Sequence, residues 1–274
     1  EDYQLGKKFG TPFVAPLDED GNYQDGYGPL TGKYGHDVPD LVEQLLRAKG
    51  NMYRRDKYLH RYAHCWRCGT PLLYRQVDEW YISMDTLRHD MLRVNEDINW
   101  IPSFGKEREI DWLRNMHDWM ISKKRYWGLA LPIWECAKCG HFDVIGSREE
   151  LKERAVSGWD RFEGNTPHRP YVDWVKIKCA KCGNPEVSRI PDVGNPWLDA
   201  GIVAYSTLPA DWRPADFITE SFPGQFRNWF YAMLAMSTVL RRQEPFKTIF
   251  GYATLFGEDG RPMQTVPLRP AAEA

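Results

Sequence analysis

All six cysteines of the sequence fall into three CxxC pairs: Cys65-Trp66-Arg67-Cys68, Cys136-Ala137-Lys138-Cys139 and Cys179-Ala180-Lys181-Cys182. A glycine follows each pair, Gly69, Gly140 and Gly183. Glycine permits the tight turn that aims backbone N–H groups at the sulfurs and lowers their proton affinity, a chemistry that suits metal thiolates. A disulfide or a redox-active CxxC is the alternative, and three such pairs in a cytosolic chain favour metal. Tetrahedral zinc takes four soft ligands, so two pairs complete one site and the third is left over. Between Cys139 and Cys179 lie 39 residues, against 67 between Cys68 and Cys136. The shorter loop loses less entropy on closing, which predicts a structural zinc site at Cys136, Cys139, Cys179 and Cys182. Cys65 and Cys68 are then a half-site: either two plain thiols, or ligands completed by His60 and His64 or by a second chain.

The rest of the chain must hold these groups in place, and its composition allows that. Its 274 residues suffice for one large domain or two small ones, and 12 Trp, 14 Tyr and 12 Phe describe a packed protein rather than a disordered one. With a net charge of −2, no global positive field advertises a polyanionic partner. No apolar run approaches the roughly 20 residues of a membrane span, and the N-terminus has no basic, apolar leader, so the expectation is a soluble, cytoplasmic protein with no membrane contact.

Residues 1–36, rich in Gly, Pro and Asp, predict strand and turn. A helix is expected from Pro39, with Leu41, Val42, Leu45 and Leu46 on its apolar stripe and Gly50 at its stop. Pro71 to Arg75, Glu79 to Ile82, Leu129 to Trp134 and Thr248 to Phe256 predict strands. Ile110, Leu113, Met116, Met120 and Ile121 recur at helical spacing and predict a helix over 107–121. Ser147 and Glu150 form a capping box. Residues 190–201 read as a turn-rich loop, and Phe226, Trp229, Phe230, Met233, Leu234, Ser237 and Leu240 as a largely buried helix. A patternless end, 264–274, is expected to be disordered.

Four segments then match one family in its own order. His64-Cys65-Trp66-Arg67-Cys68-Gly69-Thr70-Pro71-Leu72-Leu73-Tyr74-Arg75 is similar to HCWRCxTPLxYR, and Asp118-Trp119-Met120-Ile121-Ser122-Lys123-Lys124-Arg125-Tyr126-Trp127-Gly128 to DWxISRxRYWG. Asn195-Pro196-Trp197-Leu198-Asp199-Ala200-Gly201 is similar to DVWFDSG, and Glu220 through Phe230 to EGxDQxRGWF. The sequence resembles isoleucyl-tRNA synthetase, a class I aminoacyl-tRNA synthetase, as far as Met263. The resemblance implies an α/β fold: part of a Rossmann-like catalytic core with a zinc-knuckle insertion, preceded by a remnant of the editing domain. It divides the chain into an editing remnant (1–56), a core segment with the half-knuckle (57–134), the zinc insertion (135–190), the second half of the core (191–263) and a tail (264–274).

By the same resemblance, Glu1-Asp2-Tyr3 is similar to the end of the editing motif, where Asp2 would match the aspartate that holds the α-ammonium group of a misacylated residue. Trp197 and Trp229 would flank an isoleucine side chain, and Glu220 and Gln225 would lie near the aminoacyl–ribose junction. Two flat indoles suit a branched aliphatic group. Lys123, Lys124 and Arg125 would contact the tRNA acceptor end, with a solvated basic turn as the plain alternative. The HIGH segment does not occur, and after Gly257 to Met263 the residues Gln264-Thr265-Val266-Pro267 replace the lysine-bearing KMSKS loop. The expectation is therefore that the chain alone does not use ATP to make isoleucyl-adenylate.

Three functions compete on these grounds. In the first, the chain binds an activated isoleucyl group, carried by tRNA(Ile), and passes it to an amine of a small molecule in secondary metabolism. Proximity would then supply most of the catalysis, with His60, His64, His117 and Asp2 as unranked proton acceptors. In the second, it is a fragment or split subunit of an isoleucine–tRNA ligase. In the third, it is a non-catalytic module binding tRNA or isoleucine. Surfaces left apolar by absent halves would favour a homodimer or a partner chain.

Overall fold

The computed structural model describes residues 2–65, 68–258 and 260. They divide into two units, Glu1–Asp78 and Glu79–Ala274. The expected features of Trp66, Arg67, Met263 and the 264–274 tail lie outside the described residues.

The first unit is sparse in regular structure. Its start is a helix, α1 (Asp2–Phe9), where the sequence predicted strand and turn. Lys7 and Lys8 sit in the last turn, where a cation meets the negative helix end, and Gly10 stops the helix at φ +63°. The helix is too short to show a period in the sequence. Strand character follows only as isolated bridges, Leu17 to Tyr23 and Asn22 to Tyr34. The expected helix is present as α2 (Pro39–Ala48), opened by Pro39 and followed by Gly50 at φ +70°. Of the strand predicted at Pro71 to Arg75, one bridge from Pro71 to His64 forms.

Among the described residues the second unit contains two large apolar cores and a small third one of Leu131, Ile133 and Ile190. Around the first lie β1 (Tyr81–Ile82), α3 (Leu87–Glu96), β2 (Asn99–Ile101), α4 (Phe104–Asn115), β3 (Trp119–Met120) and β4 (Ser122–Lys123). The second is built by β5 (Ile133–Glu135), β6 (Phe142–Val144), α5 (Arg148–Arg154), β7 (Ala155–Ser157), α6 (Trp159–Phe162), β8 (Lys176–Ile177) and β9 (Ser188–Arg189). The chain then returns to the first core through β10 (Val193–Gly194), α7 (Pro196–Thr207), β11 (Ala215–Ser221), α8 (Phe222–Gln225), α9 (Trp229–Arg241) and β12 (Phe246–Tyr252).

A three-stranded parallel sheet in the order β11-β12-β2 organises the first core. Parallel neighbours need a crossover, and α9 supplies it between β11 and β12. Eight residues of α9, from Phe230 to Thr238, are buried, joined by Met91, Val94, Trp100 and Leu113 from the helices and strand nearby. Phe222 fits a slot lined by two glycines: a Cβ on Gly251 would come within 1.8 Å of its ring, and one on Gly105 within 2.7 Å. The second core joins Trp134, Phe162, Val175 and Ile177 to two of the cysteines, Cys136 and Cys179.

Three expectations for this unit are corrected. The helix predicted over 107–121 stops at Asn115, because Arg88 donates to the carbonyls of Leu113, Arg114 and Met116 at 2.7, 3.0 and 2.7 Å. Those carbonyls are the ones a helix end leaves unpaired. Trp119–Met120 then pairs antiparallel with Tyr81–Ile82 as strand, so the apolar residues beyond Met116 belong to a ribbon. The loop predicted over 190–201 contains the start of α7, since the Asn195 side chain accepts from the Trp197 N–H at 3.1 Å and Pro196 fits the first turn. The strand expected from Leu129 is regular only from Ile133, with Ala130 in a single bridge to Val193. The capping box at α5 is present in shifted form: Ser147 Oγ accepts from Glu150 N at 3.1 Å, while Glu150 Oε2 accepts from Gly146 N at 2.8 Å.

Candidate functional site

The three CxxC pairs share the same closing hydrogen bonds and the same glycine conformation. The N–H of Gly69, Gly140 and Gly183 donates to the carbonyl of Cys65, Cys136 and Cys179 at 2.9, 2.8 and 3.1 Å, with glycine φ values of +73°, +67° and +73°. The first cysteine of each pair closes the turn by donating to the residue after the glycine: Cys65 to Thr70, Cys136 to His141, Cys179 to Asn184.

Two of these turns meet. The sulfurs of Cys136, Cys139, Cys179 and Cys182 all lie within 4.8 Å of one another. Cys136 Sγ and Cys182 Sγ are 3.6 Å apart, and Cys139 Sγ and Cys179 Sγ 3.7 Å. A tetrahedron of sulfurs about 2.3 Å from a zinc ion has edges of about 3.8 Å, whereas a disulfide would need about 2.05 Å, so the cluster fits a metal and no disulfide is formed. Burial raises the Cys136 thiol, but Asn184 Nδ2, at 3.6 Å, and the amides of Lys138 and Cys139 outweigh it and bring it to about 6. Cys139 receives the His141 amide, yet burial and the neighbouring sulfurs push it up to about 12. Four sulfurs this close cannot all ionise without a cation to offset them.

Among the described residues, Cys65 and Cys68 belong to no group of three or more ligands. Cys68 is exposed, its Sγ 3.2 Å from Thr70 Oγ1, a contact that lowers its thiol to about 7. His60 Nδ1 and His64 Nδ1 lie 3.1 and 2.9 Å from the carbonyls of Arg61 and Tyr62. Among the described residues, neither histidine nor any carboxylate completes a group of three ligands with Cys65 and Cys68.

A cleft of about 270 Å³ opens beside the first core. Trp197, Trp112, Trp119 and Tyr231 form its apolar walls, and His117, Asp118, Arg227 and Asn228 its polar ones. Asn195 fixes Trp197 there: besides capping α7, it donates from its backbone to Ile121 O at 2.7 Å and from Nδ2 to Met120 O at 3.1 Å. Burial, then the charge of Glu109, pushes the Tyr231 phenol up, so it stays a neutral donor. Glu109 itself is fully buried without a partner, and burial raises its carboxyl well above the ordinary range.

Trp229 packs against Phe230, with centroids 6.2 Å apart, and is not among the residues lining the cleft. Gln225 Oε1 accepts from Trp229 N at 3.2 Å, closing the turn into α9. Glu220 is the penultimate residue of β11, accepting from Ser221 N at 2.7 Å and Tyr252 Oη at 3.3 Å, and its charge raises the Tyr252 phenol. Lys124 is bound to the buried Asp192 at 2.9 Å, while Lys123 is half-buried and Arg125 exposed. Asp2 lies in α1, with nothing described of its side chain; His60 and His64 belong to the first unit, and His117 alone of the four lines the Trp197 cleft. Sequence reasoning missed Tyr231 and Arg227. Their signal was the tyrosine amid the apolar run of α9 and the charge just before it.

Residues 14–266 match the family of tRNA synthetases class I (I, L, M and V), and the chain belongs to it. More particularly, it is similar to isoleucine–tRNA ligases: 36% identical to that of Methanothermobacter thermautotrophicus, 37% to that of Methanopyrus kandleri and 40% to that of Methanothrix thermoacetophila, each over 96% of this chain. It spans about a quarter of their length: 26, 26 and 25%. Among solved structures, the ternary complex of Agrobacterium radiobacter K84 agnB2 LeuRS-tRNA-LeuAMS overlaps 55% of this chain and 21% of its own, at 22% identity and a TM-score of 0.38. No helix among the described residues is long and apolar enough to cross a membrane.

Proposed function

We propose that this chain is the aminoacyl-handling part of an isoleucine–tRNA ligase, with zinc in the four-cysteine module and tRNA(Ile) as its partner. The observation that carries the reading is Trp197, fastened by Asn195 in the wall of a largely apolar cleft. An indole held this way offers flat contact to a branched aliphatic side chain at little entropic cost. On this reading, the parallel strands are the second half of a Rossmann-like core, Glu220 and Tyr252 mark the end of the sheet near the ribose junction, and residues 1–56 are an editing remnant. Zinc would hold the module together through Cys136, Cys139, Cys179 and Cys182 and supply folding energy rather than chemistry.

A second reading is favoured by the position of His117. A transferase that takes isoleucine from Ile-tRNA and gives it to a small amine needs a proton acceptor beside the aminoacyl group, and His117 lines the Trp197 cleft. Nothing in that scheme calls on ATP.

One set of assays separates the two. Purified [14C]Ile-tRNA, or free [14C]isoleucine with ATP, is incubated with the chain, with and without the remaining segments of a related ligase. The ligase reading expects label to reach tRNA from free isoleucine only when those segments are added, and Trp197→Ala to abolish it. Label passing from Ile-tRNA into a small amide with the chain alone, lost in His117→Ala, establishes the transferase instead. Isoleucine binding unchanged by Trp197→Ala removes the ground for both.

A further inference from the structure

Asp173 lies in a single 3-10 turn, Val172–Trp174, between two residues of the cysteine-containing core. Val172 and Val175 are buried with Cys136 and Cys179, and Trp134 Nε1 donates to the Val175 carbonyl at 3.0 Å. The backbone of Asp173 is therefore part of the four-cysteine module.

Its two carboxylate oxygens serve different arginines. Oδ2 accepts from Arg169 Nε at 2.8 Å, and Oδ1 from Arg189 Nε at 2.7 Å. The Arg189 side chain is 0% exposed and turns Nη1 to the carbonyls of Leu131 and Asp192, at 3.0 and 2.8 Å. The Asp192 carboxylate, 4% exposed, holds Lys124 Nζ at 2.9 Å. A second route runs through Arg169, whose Nη1 donates to Pro191 O at 3.0 Å and whose guanidinium lies 4.6 Å from the Tyr126 ring. Both routes end on the basic turn of residues 123–127.

We propose that Asp173 is a positioning residue through which the four-cysteine module sets the pose of this turn. A planar guanidinium with a fixed carboxylate partner has one favourable orientation, and a buried one cannot exchange that partner for water. Removing the carboxylate leaves Arg189 buried without its counter-charge, so Arg189 must shift and release the Asp192 carbonyl. The turn then loses its anchor at Lys124 and its clamp at Tyr126 together. What the turn contacts rests on the proposed function, which gives it the tRNA acceptor end; the coupling itself does not.

Hydrogen exchange on the full chain tests it. Asp173→Asn is expected to speed exchange in residues 122–128 by about 10-fold, leave α9 unchanged, and be rescued by Asp173→Glu. Arg169→Gln, which empties no buried site, should speed the same segment by a smaller factor and carries the test if Asp173→Asn does not fold. Wild-type exchange at 122–128 in Arg169→Gln, or a rise spread evenly over α9 as well, overturns the proposal. tRNA affinity is measured in parallel: a fall of about 5-fold or more with isoleucine affinity unchanged supports the coupling and its use. Exchange that rises with tRNA affinity unmoved keeps the coupling and refutes the turn as a tRNA contact.

Discussion

The turn at Cys65 and the turns at Cys136 and Cys179 share their closing hydrogen bonds, their left-handed glycine and their spacing, yet among the described residues only the latter two bring four sulfurs together. The difference lies in what carries them. Cys136 and Cys179 are buried in one apolar core with Trp134 and Phe162, so packing brings their turns face to face. Cys68 is exposed, with Thr70 Oγ1 beside its sulfur. A local turn is thus specified by four or five residues, whereas the ligand set is specified by a core built from residues some forty positions apart.

The sharpest way to break this contrast is to remove a ligand. Cys179→Ser should reduce bound zinc, read by mass spectrometry, from about one ion per chain to about none and melt the surrounding module, since structural zinc is worth roughly 10 kcal/mol or more in small domains. Cys65→Ser should leave metal content unchanged. If both variants lose the ion, the Cys65 turn holds metal too.

The glycines test the turn without touching a sulfur. A Cβ on Gly140 or Gly69 meets nothing within 4 Å, so alanine there strains only the positive φ. Each substitution should cost about 1–2 kcal/mol of local stability. For Gly140→Ala the cost should appear as zinc affinity weakened about 5- to 30-fold in a chelator competition, and for Gly69→Ala it should not. Ser147→Ala, which uncaps α5 inside the four-cysteine module, should cost about 1 kcal/mol in thermal unfolding.

The smallest effect concerns charge. With its thiol near 7, Cys68 should be alkylated faster as pH rises through about 7 and level off above it. Thr70→Ala should move that midpoint upward toward the ordinary thiol value, followed by mass spectrometry of iodoacetamide adducts. In linkage terms, the turn has its full electrostatic support above the ordinary thiol pKa and loses it as pH falls through about 7. An unmoved midpoint would take the hydroxyl out of this account.

These contrasts also show what a sequence can disclose. The grouping of the four cysteines was legible because loop entropy ranks the pairings and the structure closes the shorter loop. Helix α2 was legible because Pro39 and Gly50 mark its two ends within the segment. The end of α4 was not, because the group that stops it is Arg88, reaching its carbonyls from 25 to 28 residues upstream. Asn195-Pro196 reads equally as turn or as helix start, and only the Trp197 amide decides. The cleft was half legible. Trp197 stands in a recognisable motif, while Tyr231 and Arg227 become wall residues only when α9 and the residues just before it pack against α7 and α3.

The gap of 39 residues between the paired knuckles also has a consequence in time. A growing chain at about 5–20 residues per second exposes Cys136 and Cys139 for roughly 2–9 s before Cys182 follows them out of the ribosome. During that interval the first knuckle is fully formed in sequence but has no mate, and the core that will bury it lacks Val175, Ile177 and Val187. A nascent chain therefore passes through a stage in which two ready thiols face the cell's oxidants, and an oxidative pulse during synthesis should damage this protein far more than the same pulse applied to the finished fold.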